Sequence, residues 1–267
     1  MNIYKNLNEM IGYIEAHLED SISYTTLSHM LGVNEYTMHN LFRIIANISL
    51  SEYIRKRRLS NAGFDLYHTQ AKVIDVALKY QYDNATSFSR AFEKFHGIKP
   101  SYVKNHPEKL KLYARITFKE DIVHHQNMEY SILKKEEMIL YGKGISTTTQ
   151  TISQDAPKHF QFMLQTYSSL YGHIPYGMTV YQDRFEDEHF EYWTLYDKPI
   201  PGFKQWIIPS SKWLSFSIPS QDSDEIQNVI HQFYVDFVAS SPYTIRELPE
   251  LEYYHDDITE FLVPIED

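Results

Sequence analysis

The sequence predicts a two-part chain, an all-α half followed by an α+β half. Three observations carry this. Apolar residues recur at three- and four-residue steps from Ile3 to Tyr102. From Met128 onward the period falls to two, and Tyr, Val, Ile, Thr and Trp become frequent. The charge balance also changes: residues 1–107 hold 12 Lys and Arg against 10 Asp and Glu, while residues 108–267 hold 13 against 25, so a total of −10 divides into +2 and −12. A chain of 267 residues is long enough for about two domains with cores of their own. With 43% hydrophobic and 22% charged residues it has the balance of a folded protein. The absence of cysteine excludes a disulfide framework, a thiolate metal site and a cysteine nucleophile, and fits a reducing compartment. No basic stretch leads into an apolar run at the start, and nowhere do about eighteen apolar residues run together. A cytoplasmic protein with no membrane partner is expected.

The helical half divides by its caps. Ile3, Leu7, Met10, Ile11, Ile14 and Leu18 mark a first helix to about Leu18. Ser23 caps a short second helix ending at Gly32, and Asn34 caps a third over residues 35–46. Two short helices joined by a Gly-containing turn are the signature of a helix-turn-helix. Ser49 and Glu52 form a capping box for a fourth helix, residues 50–67, which carries the densest cationic run, Arg55-Lys56-Arg57-Arg58. Arg55 and Arg57 are candidate phosphate contacts, the alternative being a solvated helix face. The pattern then recurs: a helix over 73–78, a turn at Tyr80-Gln81-Tyr82, a cap at Asp83 or Asn84, and a helix over 85–95 burying Phe88, Phe92 and Phe95. Gly97 ends it and Pro100 blocks continuation. A linking helix of about 18 residues spans roughly 25 Å, the order needed to set two reading helices on successive turns of a duplex.

The stretch Asn84-Ala85-Thr86-Ser87-Phe88-Ser89-Arg90-Ala91-Phe92-Glu93-Lys94-Phe95-His96-Gly97-Ile98-Lys99-Pro100 resembles the C-terminal signature of the AraC/XylS family of bacterial transcription regulators. Residues 27–59 are similar to that family's first helix-turn-helix, and the resemblance covers residues 3–104. It implies a domain over residues 1–107 that binds double-stranded DNA with two reading helices. Gln81 and Asn47 stand where the family commonly has Gly. On the first reading helix Met38, Leu41 and Phe42 mark the core face, so Tyr36, His39, Asn40 and Arg43 are expected to face the groove. On the second, Ala85, Thr86, Ser89, Arg90 and Lys94 are expected to be exposed. Arg90 suits guanine or a phosphate, Asn40 suits adenine, and Ala85 and Thr86 can meet a thymine methyl. His39 has no companions at metal spacing, so no metal site is expected.

Residues 108–127 lack periodicity and read as a linker. Beyond them, over residues 128–267, a β-β-α-β-β unit appears twice. Strands at 128–133 and 138–146, a helix from Asp155 and Pro157 to about Leu170, and strands at 176–183 and 190–196 make the first. Strands at 203–208 and 212–218, a helix capped by Asp222 through Phe237, and strands at 248–254 and 259–265 make the second. Two half-sheets are expected to pair about a pseudo-twofold axis, with a pocket at their junction.

This arrangement resembles the GyrI-like effector-binding domain, through Ile208-Pro209-Ser210-Ser211-Lys212-Trp213, Glu191-Tyr192-Trp193, Pro249-Glu250-Leu251-Glu252-Tyr253 and the closing Phe261-Leu262-Val263-Pro264-Ile265. The resemblance implies ligands held between the repeats against aromatic rings, and a buried carboxylate that selects cationic, lipophilic molecules. Glu252 matches that position, with Glu260 the alternative. Tyr181, Tyr192, Trp193, Trp206, Trp213 and Tyr253 lie on strands whose faces can converge on such a cavity, where a cation over a ring gains roughly 0.5–2 kcal/mol. Each can equally serve the core.

No phosphate-cradling loop, nucleophile elbow or metalloprotease helix is present, so neither an enzyme nor a cofactor is expected. The expected function is ligand-responsive transcription regulation through double-stranded DNA and a small-molecule effector, with RNA polymerase as a further candidate partner. No coiled coil is present, so a monomer or weak homodimer is expected. Two alternatives remain open: a second domain that binds a protein, and a small-molecule hydrolase of the GyrI-like type fused to a DNA-binding module.

Overall fold

The computed structural model describes residues 3–119, 128–148, 151–172, 176–180, 189–238 and 241–266. Its helices are α1 (Ile3–Ala16), α2 (Tyr24–Leu31), α3 (Glu35–Ala46), α4 (Leu50–His68), α5 (Val73–Lys79), α6 (Ala85–His96), α7 (Ile152–Tyr171) and α8 (Ser223–Gln232). The strands are β1 (Ser131–Lys135), β2 (Met138–Thr148), β3 (Tyr176–Val180), β4 (His189–Tyr196), β5 (Lys204–Ile208), β6 (Ser211–Ile218), β7 (Leu251–His255) and β8 (Ile258–Ile265). Among the described residues, no helix is long and apolar enough to cross a membrane.

Backbone proximity groups the chain into two compact units. One is Asn2–Glu35 with Leu50–Glu120; the other is Tyr36–Ser49 with Asp121–Asp267. The helix α3, expected in the helical half, thus lies with the sheet.

In the helical unit Ser23 and Asn84 cap their helices as expected. The Ser23 hydroxyl accepts from the Thr26 N–H, and Asn84 accepts from those of Thr86 and Ser87. Gly32 and Gly97 close α2 and α6 in the left-handed region. Asn47 and Gln81 also have positive φ, 52° and 66°, a conformation that costs a side chain more than it costs glycine. Gln81 offsets this by donating from Nε2 to the Glu19 carbonyl at 2.6 Å. The first helix ends two residues short of Leu18. The His17 N–H moves to the Ile14 carbonyl at 3.1 Å, while its ring lies 2.8 Å from the Tyr13 carbonyl that a continuing helix would use. Leu59, Ala62 and Leu66 of α4 pack with Val76, Ala77 and Tyr80, and with Phe88 and Phe92 of α6.

The cationic run of α4 is largely turned to internal use. Arg57 grips the Glu15 carboxylate with two guanidinium nitrogens, at 2.8 and 2.7 Å, and Tyr53 donates to it at 2.7 Å. Burial raises the Glu15 pKa, but the hydrogen bonds from Arg57 and Tyr53 outweigh it and hold the carboxyl below its ordinary value. Arg58 donates to the Leu18 carbonyl, and Arg55 pairs with the buried Glu52. Arg57 and Arg55, expected at phosphate, are therefore committed to carboxylates of their own unit.

The second unit holds one antiparallel sheet of order β1-β6-β8-β7-β3-β4-β2-β5. The order is symmetric about the β7–β3 contact, so the duplicated units stand in pseudo-twofold relation. They also exchange their first strands: β1 pairs with β6 of the second repeat, and β5 with β2 of the first. The registers Glu252↔Phe261 and Tyr253↔Glu260 then fix which side chains share a face. Leu140, Met178, Leu195, Trp213, Leu251 and Leu262 form the core of one face, while α7 and α8 pack toward the other.

Candidate functional site

Alternation along β7 directs Glu252 and Tyr254 to the helix-bearing face. There they floor a cleft of about 250 Å³ with Tyr192 of β4. Phe160 of α7 and Ile226 of α8 supply its apolar walls. The Asp222 side chain accepts from the Asp224 and Glu225 N–H groups and fixes the start of α8 beside the cleft.

The Glu252 carboxylate is held from one side. Tyr254 donates to Oε2 at 2.5 Å and Tyr192 donates to the same oxygen at 3.0 Å. The second oxygen, Oε1, has no hydrogen-bond partner among the described residues. Burial pushes the Glu252 pKa up, and the two hydroxyl hydrogen bonds reverse only part of that shift. Burial, with the neighbouring carboxylate, also pushes both tyrosine hydroxyls well above their ordinary range, so they stay protonated donors. Gly177 makes the arrangement possible. It faces Glu252 across β3 and β7, and a Cβ there would stand 2.5 Å from both Glu252 Oε2 and the Tyr192 hydroxyl.

Of the expected ligand residues, the fold brings Glu252 and Tyr192 together at this cleft. Trp193, Trp206, Trp213 and Tyr253 lie on the opposite face and so cannot join them, because adjacent residues of a strand point to opposite sides. Trp193 and Trp206 pack edge to face at 5.1 Å under the Lys204 ammonium, and Trp213 is fully buried. Glu260, paired with Tyr253, also faces away from the cleft and lies 3.3 Å from the His255 ring. Tyr181 falls outside the described residues. Tyr254, Phe160 and Gly177 were not anticipated. Strand parity from Glu252 would have named Tyr254 in place of Tyr253.

The two expected DNA-reading helices differ. On α6, Phe88 and Phe92 are buried and Thr86, Arg90 and Lys94 are exposed as expected, whereas Ala85 and Ser89 are half-buried. On α3 the expected groove face is turned inward: His39 is 6% and Asn40 1% exposed, with Tyr36 and Arg43 half-buried. Asn40 donates from Nδ2 to the Tyr234 hydroxyl at 2.9 Å, and Tyr234 in turn donates to Glu250. The Arg43 guanidinium lies 4.8 Å above the Phe190 ring. Burial pushes the His39 pKa down to about 3, so its ring is neutral.

Comparison with known proteins assigns both halves. The helix-turn-helix domain matches residues 27–106, and the GyrI-like small molecule binding domain matches residues 128–266. The HTH-type transcriptional activator AarP of Providencia stuartii is 37% identical over 95 residues, which cover 36% of this chain and 70% of AarP. The HTH-type transcriptional regulator YbfP of Bacillus subtilis is 33% identical over 96 residues, and there the chain spans about a third (32%) of the relative's length. A solved AraC-type DNA-binding regulator from Chromobacterium violaceum is 22% identical, with a TM-score of 0.36 over 38% of this chain and 91% of its own. The chain belongs to the AraC-type helix-turn-helix family of DNA-binding transcription regulators, and carries a GyrI-like small molecule binding domain behind its helical half.

Proposed function

We propose that the cleft between α7 and α8 binds a lipophilic organic cation, and that its occupancy alters how the reading helices engage DNA. The Glu252 carboxylate carries this reading. It sits under aromatic and aliphatic walls, is anchored through one oxygen by two tyrosines, and has its other oxygen without a hydrogen-bond partner among the described residues. A carboxylate withdrawn from water favours a partner that returns a positive charge, and a neutral analogue of the same shape leaves that charge uncompensated. The rings of Tyr192, Tyr254 and Phe160 add quadrupole attraction for the cation. On the DNA side, Arg90 and Lys94 of α6 present cationic groups for bases and phosphates.

Calorimetry with a panel of quaternary aryl-ammonium dyes and their neutral isosteres tests the ligand class. The cations should bind, the isosteres should not, and Glu252→Gln should weaken the cations by roughly thirtyfold or more. Equal binding of cations and isosteres would sink the proposal.

A further inference from the structure

The residues expected to read bases from α3 are engaged elsewhere, and what engages them has the form of a built receptor. Asn40, Tyr234 and Glu250 make a directed relay in which amide N–H donates to hydroxyl and hydroxyl donates to carboxylate. All three are buried, with Asn40 and Tyr234 each 1% exposed and Glu250 8%. Tyr234 is the second residue of the π-helical turn Phe233–Phe237 that follows α8, Phe190 lies on β4 with the same parity as Tyr192, and Glu250 immediately precedes β7. Phe190 receives the planar cation of Arg43 on its ring. An incidental contact does not bury an amide, a phenol and a carboxylate with each one matched, because a buried polar group left unmatched costs more than the bond returns.

The same atoms are those a base edge would need. An Asn reads adenine by presenting an amide N–H and its carbonyl together, and Asn40, 1% exposed and bonded to Tyr234, cannot present that edge to a base while it is seated. Nor can the Arg43 guanidinium stay 4.8 Å from the centre of the Phe190 ring while reaching into a groove. We infer that Phe190, Tyr234 and Glu250 form an internal receptor for α3 that competes with DNA, so that the first reading helix is withheld while the second is offered.

This inference rests on the DNA-reading assignment of α3 and deepens it by naming what controls access. Seat and cleft adjoin along the chain: Glu250, which accepts from Tyr234, stands two residues before Glu252, which lines the ligand cleft. A ligand with different affinity for the seated and released arrangements would shift between them.

The test uses the full chain and duplexes enriched from a random-sequence pool. Tyr234→Phe keeps the ring and deletes the bridging hydroxyl; Phe190→Leu keeps apolar bulk and deletes the cation's platform. Each should tighten duplex binding by about tenfold and lengthen the protected footprint, since the seated form taxes the apparent affinity. Amide exchange in the free protein should show protection over α3 that is lost in both variants while the sheet strands stay protected. Unchanged affinity, footprint and α3 exchange in a protein that does bind duplex would overturn the receptor and leave the DNA reading intact. Absence of duplex binding by wild type and both variants at low salt would instead overturn the DNA reading, and the receptor with it. Phe190→Leu decides the matter if Tyr234→Phe fails to fold.

Discussion

Gly177 and Glu252 face one another across two strands, and one methyl group decides whether they can. A Cβ at Gly177 would fall within 2.5 Å of the carboxylate and of the Tyr192 hydroxyl that holds it, so one of them must move. Gly177→Ala should leave the sheet folded and duplex binding unchanged, but weaken binding of a quaternary aryl-ammonium dye by roughly tenfold, about 1.4 kcal/mol. Calorimetry on the variant measures this, and an unaltered affinity would show that the carboxylate has no part in the site. Glu252 was legible because its neighbourhood resembles a known domain. Gly177 was not, since its role depends on a cross-strand pairing that no local pattern encodes. Tyr192 and Trp193 make the same point: both are aromatic, and the strand admits only one of them to the cleft.

At the scale of elements, α3 and the residue that precedes β7 carry titrating groups of opposite effect. Burial pushes the His39 pKa down to about 3, against an ordinary value near 6.5. Below pH 6.5 the unfolded chain takes up a proton that the folded chain refuses. Stability therefore falls by about 1.4 kcal/mol per pH unit from 6.5 toward 3. Glu250 runs the other way. Burial and the Glu252 charge push it up to about 7, although its bond from Tyr234 and the Arg43 charge oppose them. The folded chain therefore binds that proton first, and stability rises as pH falls from about 7 toward the unfolded carboxyl value near 4.3. Between those limits the two slopes offset. Denaturant unfolding at stepped pH should give a shallow profile for wild type, a steeper acid loss for Glu250→Gln, and a gain on acidification for His39→Gln. Identical slopes in all three proteins would contradict the burial of these side chains. Composition located the cationic run of α4, but only packing revealed that Arg57 serves Glu15.

For the whole molecule, ligand and DNA are linked only if some element responds to both, and the α3 seat is placed to do so. Coupling of this kind is reciprocal and commonly amounts to roughly 5- to 150-fold in affinity. In anisotropy titrations, a saturating lipophilic cation should change duplex affinity of the wild-type chain by at least about fivefold. The change should fall to near onefold in Tyr234→Phe, whose α3 is already released. A cation effect of equal size in both proteins would show that the signal bypasses the seat.

The sequence by itself determined the helices, the caps at Ser23 and Asn84, the order of strands in the duplicated half, and the family to which the chain belongs. These follow from local rules: apolar spacing, side-chain oxygens that satisfy free backbone N–H groups, and a residue pattern long enough to be specific. Tertiary structure decided the rest. Whether Trp193 or Tyr192 meets the cleft depended on strand register, and whether β1 joined its own repeat depended on an exchange between halves. Whether Asn40 faced solvent depended on a hydroxyl 194 positions away in the chain. Burial of a polar group is a property of what surrounds it, and those surroundings come from distant segments that a local pattern does not specify.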